Sequence, residues 1–294
     1  KIKILVLKAD NYGVGFFRSI DPHVFIQENY SDLFDIDIID QFPKDEQLDK
    51  FLAKYDIVHF HKQLDKNCEL IKLMKFVGCK VILDIDDHWD IGNDHPMSIT
   101  AKQEKWYEPI IEHLKLADYV STTTPIFAKE ISKYNKNVLV FPNAINPNDE
   151  RFKINNTTSS KLRFGIICGS SHLKDIELMQ GMINKLPQDV IEQSQFVLCG
   201  FDTNGTRTII NRDTGEVKTR PIEPMESVWY DYEKIFTDNY KIVSEDHKNF
   251  LHKFIPQVEY PNKNEAYRRC WTKNINEYYK HYENIDVLLV PLKE

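Results

Sequence analysis

Short apolar runs bounded by polar turns alternate along this chain with longer segments of helical period, which is how buried parallel strands and their crossover helices read in sequence. The runs IKILVL (2–7), FDIDII (34–39), DIVHFH (56–61), KVILDI (80–85), YVSTT (119–123) and VLVF (138–141) predict six strands. Between them the spacing predicts helices over about 15–28, 46–54, 66–77, 101–117 and 125–134. The last is opened by Thr124 as cap and Pro125 in the first turn. Six strands linked by helices predict one doubly wound α/β domain.

The alternation breaks at PNAINPNDERFKINNTTSSK (142–161), which is rich in Asn, Pro, Ser and Thr and has no period. It reads as a linker between a domain over 1–150 and a second over 151–294. The pattern then restarts with strand LRFGIIC (162–168), a helix over about 173–186 and strand QFVLCG (195–200). Two turn signals, Asn204-Gly205 and Asp213-Thr214-Gly215, suggest an inserted hairpin. Helices follow near 225–236, 245–254 and 270–282, then the buried strand DVLLVPL (286–292). A doubly wound domain ending on a strand lacks a covering helix, so the expectation is two Rossmann-like domains of which the second is incomplete.

Composition narrows the function classes. At 41% apolar and 28% charged over 294 residues the chain reads as globular and soluble. No window has the roughly 18 apolar residues of a membrane span, and ILVL is too short an apolar run for a secretory leader. A cytoplasmic location is expected. The net charge of −7 argues against nucleic acid as partner, while leaving room for a local basic pocket. Cys68, Cys79, Cys168, Cys199 and Cys270 form no CxxC pair and read as reduced core thiols.

Three stretches carry candidate chemistry. NYGVGFFRS (11–19) sits between the first strand and first helix, where a Gly-rich turn lets N–H groups approach an anion. It is not GxGxxG, because Arg18 stands at the third glycine position, so a dinucleotide is disfavoured. Gly13 and Gly15 are either a bare tight turn or, with Arg18, a phosphate or sugar contact. CGSSHLKDIE (168–177) repeats the arrangement: Gly169 at the turn, Ser170 and Ser171 as donors and caps, His172 and Lys174 at the helix start, together a candidate diphosphate cradle.

The third stretch, VILDIDDHWD (81–90), runs a strand into Asp84, Asp86, Asp87 and Asp90. The spacing matches no EF-hand or zinc pattern, which disfavours a metal. Carboxylates at the C-terminal edge of a parallel strand are placed to align an acceptor hydroxyl or to stabilise positive charge developing on a sugar ring. Asp90 reads as a turn cap and Trp89 as packing. His59 and His61 alternate on strand three, with His61 at the strand end the better site candidate. YRRCWTKNINEYYKHY (267–282) reads as a helix with a packed face from which Arg268 or Arg269 reaches the site.

VILDIDDHWD, LADYVSTTTPIFAKEISKYNKNVLVFPNAINP, FGIICGSSHLKDIE and YENIDVLLVPL resemble, in order and separation, stretches of bacterial members of glycosyltransferase family 4, a family with the GT-B fold. The resemblance runs through nearly the whole chain. It implies a hexosyltransferase that binds a nucleotide-diphosphate sugar mainly on the second domain and a glycan, lipid-linked or protein acceptor on the first, retaining anomeric configuration without a metal or other cofactor. Polysaccharide biosynthesis is the implied setting, and such acceptors would draw the protein to the inner face of the membrane, although no basic amphipathic helix is evident.

By the same resemblance the strand-four position where relatives carry a catalytic histidine falls on Asp86, with Asp87 beside it. Gly15 and Gly169 match the two donor-facing glycines. The chain departs from the family pattern in two places. Ser170 and Asp175 stand where relatives have an arginine and a lysine, with Lys174 one position early, and the glutamate pair beyond DVLLVPL has no counterpart in the sequence. Two rivals stay open: a nucleotide-sugar epimerase and a non-catalytic two-lobed binding protein.

Overall fold

The computed structural model describes residues 1–44, 46–62, 68–93, 97–153, 155–210, 217–251 and 265–292. The chain divides into two compact units, Lys1–Phe152 and Lys153–Glu294. Among the described residues no helix is long and apolar enough to cross a membrane.

The first unit is built on strands β1 (Ile2–Leu7), β2 (Phe34–Ile39), β3 (Ile57–His61), β4 (Lys80–Asp84), β5 (Tyr119–Thr122) and β6 (Val138–Val140). Its helices are α1 (Asp21–Asn29), α2 (Leu48–Leu52), α3 (Glu69–Phe76), α4 (Ser98–Gln103), α5 (Tyr107–Leu116) and α6 (Pro125–Ile131). The six strands form one parallel sheet in the order β2-β1-β3-β4-β5-β6, a Rossmann-like α/β arrangement whose order reverses between β1 and β3.

Strand pairing explains why the sheet has two unlike faces. In a parallel ladder, paired residues share a face and alternate along each strand. Leu5, Val58, Val81 and Leu83 fall on one face and pack against Ile71 and Met74 of α3 and Ile110 and Leu114 of α5. Each such burial contributes about 1.5–3 kcal/mol. His59, His61, Asp84 and Ser121 fall on the other, and all are buried. One face is oil; the other holds a buried polar layer.

Local chemistry corrects two helix expectations. The segment expected as one helix over 15–28 begins with a π-helical turn, Gly15–Ile20, before α1. The segment over 101–117 is two helices, parted where Lys105 takes a left-handed φ of 54°. In α6 the cap is as read, Thr124 Oγ1 accepting from the Phe127 N–H at 3.2 Å. Residues 66 and 67 of the third expected helix lie outside the described residues.

The second unit carries a parallel sheet of β7 (Leu162–Ile167), β8 (Ser194–Phe201), β11 (Tyr267–Trp271) and β12 (Val287–Leu288) in the order β11-β8-β7-β12. An antiparallel hairpin, β9 (Thr206–Ile210) and β10 (Val217–Pro221), is inserted after β8, and its turn signal at 213–215 lies outside the described residues. The helices are α7 (Leu173–Ile176), α8 (Gln188–Gln193), α9 (Val228–Phe236) and α10 (Glu245–Leu251); residues 252–254 of the expected 245–254 helix lie outside the described residues. Leaving out the hairpin and counting from β7, the order is 3-2-1-4, reversing between β7 and β12.

Three further expectations are overturned here. The strand expected to be buried over 286–292 is only β12, and its two residues are exposed. The helix expected over 173–186 is only α7, followed by 3-10 turns at Glu177–Met179 and Ile183–Lys185, with Gly181 at a φ of 74° between them. The helix expected over 267–282 is strand β11 followed by a 3-10 segment, Tyr278–Asn284. Tyr267 and Arg269 are core residues of a sheet: Arg269 donates to both carboxylate oxygens of Glu233, at 2.8 and 2.6 Å, and Tyr267 donates to Glu233 at 2.8 Å. Alternating aromatic and cationic residues buried on two faces of a strand mimic a packed helix in sequence.

Candidate functional site

In an open parallel sheet, the loops after two strands diverge where the strand order reverses, and ligands bind in the crevice this leaves at the C-terminal edge. Each unit has one such point. In the first it lies beside β1 and β3, and in the second beside β7 and β12.

At the first unit's edge, Asp10 follows β1 and its Oδ1 accepts from the N–H groups of Tyr12 (2.7 Å) and Gly15 (3.0 Å). The chain's own carboxylate thus occupies the start of the first helical turn, an Asx-type closure the sequence reading did not find. Gly15 is required there: a Cβ would lie 1.8 Å from the Asp10 carbonyl oxygen. Gly13 is under no such constraint, with open space around a Cβ. Lys8 donates to Asn11 at 2.6 Å and pairs with Asp40 at 2.6 Å.

Arg18 sits one turn further on, but its guanidinium points into the polar layer. Nε and Nη2 donate to the two oxygens of Asp84, at 3.1 and 2.5 Å, and Nη1 donates to the Phe141 carbonyl. Asp84, 1% exposed, also accepts from Ser121 Oγ at 2.6 Å. A bidentate pair at this depth fixes the first helix to β4 and β5. The charge of Arg18, read from sequence as a phosphate or sugar contact, is therefore matched by Asp84.

The four aspartates of VILDIDDHWD separate. Asp84 is buried, Asp87 and Asp90 are exposed, and Asp86 lies between. Asp86 Oδ1 stands 2.8 Å from His61 Nε2 and 3.6 Å from Lys62 Nζ, while Asp87 stands 3.8 Å from the same ammonium. Burial opposes the Asp86 charge, but the His61 hydrogen bond and the nearby cations outweigh it and hold the carboxyl at about 2. It is a carboxylate throughout the physiological range, able to accept a hydrogen bond and hold an imidazole in one orientation. Trp89 packs among His88, Phe127 and Tyr134, as read from sequence. Among the described residues no group of three or more His, Cys, Asp or Glu side chains is placed to hold a metal ion.

Behind this edge lie His59 and His23, their rings 4.8 Å apart. Burial, followed by the charge of His23, pushes His59 down to about 3, so it is neutral. Its Nδ1 has no hydrogen-bond partner among the described residues. His23 is lowered too, mainly by burial, against its hydrogen bond to the Ser19 carbonyl at 2.6 Å.

At the second unit's edge, Cys168 leads into Gly169, Ser170 and Ser171, all three exposed. One hydroxyl organises the loop: Tyr232 Oη donates to the Gly169 carbonyl at 3.1 Å and accepts from the His172 N–H at 2.8 Å. Tyr232 comes from α9, more than fifty residues away in sequence, and no local signal marks it. The Ser170 and Ser171 N–H groups take no partner among the described residues. His172 pairs with Asp175 at 2.8 Å and Lys174 with Glu177 at 2.9 Å. Burial, reinforced by Asp175, pushes the Cys168 thiol up to about 12, so it is no nucleophile.

α7 is four residues long, so its dipole adds little and anion binding here would fall to the loop amides, the His172 imidazole and the Lys174 ammonium. Neither arginine expected near this edge reaches it. Arg269 is turned to Glu233, and Arg268 lies with Gln195 and Arg163 at the opposite, N-terminal edge of the sheet. No protein-family model matches the chain, and no curated protein sequence is significantly similar to it.

Proposed function

We propose that the chain is a glycosyltransferase of GT-B organisation, related to the bacterial family 4 enzymes it resembles, that transfers a sugar from a nucleotide-diphosphate donor to a glycan, lipid-linked or protein acceptor. One observation carries the reading: the second sheet reverses its strand order beside β7, where the exposed Gly169–Ser170–Ser171 loop presents open amides. Reversal points are where α/β sheets take ligands, and oriented amides suit a diphosphate.

In this reading the loop amides, His172 and Lys174 hold the diphosphate and stabilise the charge it gains as the bond to the sugar breaks, the largest catalytic contribution expected. Asp86, ionised and braced by His61 and Lys62, orients the acceptor hydroxyl or faces the positive charge developing on the ring. The buried Arg18–Asp84–Ser121 group supports that edge without touching substrate.

Incubating the protein with a panel of nucleotide sugars, with and without oligosaccharide or lipid-linked acceptors, tests the assignment. Nucleotide diphosphate released with transfer to an acceptor is the expected result. An isomerised donor formed without acceptor would identify an epimerase instead, and binding without any product would identify a non-catalytic receptor.

A further inference from the structure

At the N-terminal edge of the second unit's sheet, the end away from the proposed donor loop, lies a small pocket. Its lining is Thr157, Thr158, Ser159, Ser160, Arg163, Gln195, Arg268 and Asn284. Pairing explains how these meet: Arg163 is beside Gln195, and Arg268 lies opposite Val197, so all three side chains stand on the sheet face turned away from Glu233. Among the described residues the lining has two guanidinium groups, four hydroxyls, two amides and no carboxylate. That is the composition of an oxyanion site, since every one of these groups can donate a hydrogen bond.

Parts of the pocket are already held in place. Arg163, 3% exposed, is braced by Asp286 through Nε and Nη2, at 3.0 and 2.8 Å, and by Thr157 through Nη1 at 2.7 Å. Thr157 also bonds the Glu283 carbonyl through its N–H at 2.9 Å. Asn284 accepts from Arg268 Nη1 at 3.1 Å. The fold thus fixes Arg163, Thr157 and Asn284, while Thr158 and Ser159 are exposed on the rim. The space is about 140 Å³. At ~30 Å³ per water that is room for a tetrahedral oxyanion, with any larger group it belongs to lying out towards solvent.

We infer that this pocket is an oxyanion site for a phosphate group, contacted by Arg268 and the hydroxyls of Thr158 and Ser159, and separate from the donor loop. The inference does not depend on the transferase reading. Its test is calorimetric titration of the full chain, at fixed ionic strength, with inorganic phosphate and with a hexose 1-phosphate. Binding of either is expected, with Arg268→Gln and the double variant Thr158→Ala/Ser159→Ala each weakening it at least about tenfold, the least that losing a charge-assisted bond should cost. The double variant alters exposed side chains only, so it keeps the test open should Arg268→Gln unfold. Tighter binding of the ester names a phosphorylated sugar as ligand, and equal binding names the free ion. No binding of either probe, equal affinity in the wild type and the double variant, or loss of binding in Gly169→Ala alone would overturn the site.

Discussion

Asp84 and Asp86 stand two positions apart, and the protein uses them differently because one is inside the polar layer and the other at its rim. Removing the Asp84 carboxylate leaves the Arg18 guanidinium buried without its counter-charge, and breaking such a pair costs about 3–5 kcal/mol. Asp84→Ala should therefore lower unfolding stability by that amount in a urea titration. Asp86→Ala should cost far less stability and act on turnover: in the transferase assay kcat should fall by at least about tenfold with donor affinity retained. Equal turnover in wild type and variant would remove Asp86 from the chemistry.

His59 and Asp86 make the first unit sensitive to acid. His59 titrates at about 3 in the fold against about 6.5 in the unfolded chain. Its contribution is complete above pH 6.5 and is lost as pH falls towards 3, because only the unfolded chain takes up the proton. The slope is at most about 1.4 kcal/mol per pH unit. Asp86, held near 2, adds stability that is present above about pH 4 and lost as pH falls through 2. Unfolding free energy measured at pH 7.5 and 5.0 should thus drop on acidification, and His59→Phe should flatten that drop; an unchanged slope in the variant would show that His59 is not the sensing group.

At the scale of elements, the three glycines read alike in sequence separate sharply. Gly15→Ala drives a methyl group into the Asp10 carbonyl and should destabilise the first unit by about 2 kcal/mol or more. Gly13→Ala and Gly169→Ala meet open space at ordinary backbone angles and should leave the melting temperature within about a degree or two. Tyr232→Phe removes the hydroxyl that bridges Gly169 and His172, and should cost about 1–3 kcal/mol or loosen the loop to proteolysis.

The strands of the first unit were legible because period-two burial and unbroken apolar runs are written locally. IKILVL and FDIDII are strands over the same residues that the pattern indicates. What depends on distant partners was not legible. The Asp10 carboxylate closing the Gly15 turn, Arg18 reaching β4, Tyr232 tying the Gly169 loop and β11 disguised as a helix all depend on which elements the fold brings together. Periodicity alone cannot separate a short buried strand from a helix when both faces are covered.

At the scale of the molecule, two parallel sheets of different order each present one reversal point, one edged by His61, Lys62 and Asp86 and the other by Gly169, Ser170 and Ser171. The net charge of −7 makes the cations near each point matter more for an anionic ligand than the total suggests. The central claim is that a nucleotide-diphosphate sugar lies against the Gly169 loop. Calorimetry of the wild type, Gly169→Ala and Asp86→Ala against a nucleotide-sugar panel addresses it most directly, because Gly169→Ala should fold normally. One donor should bind the wild type and Asp86→Ala alike and bind Gly169→Ala at least about tenfold more weakly. No donor binding the wild type, or undiminished binding by a well-folded Gly169→Ala, would contradict the account.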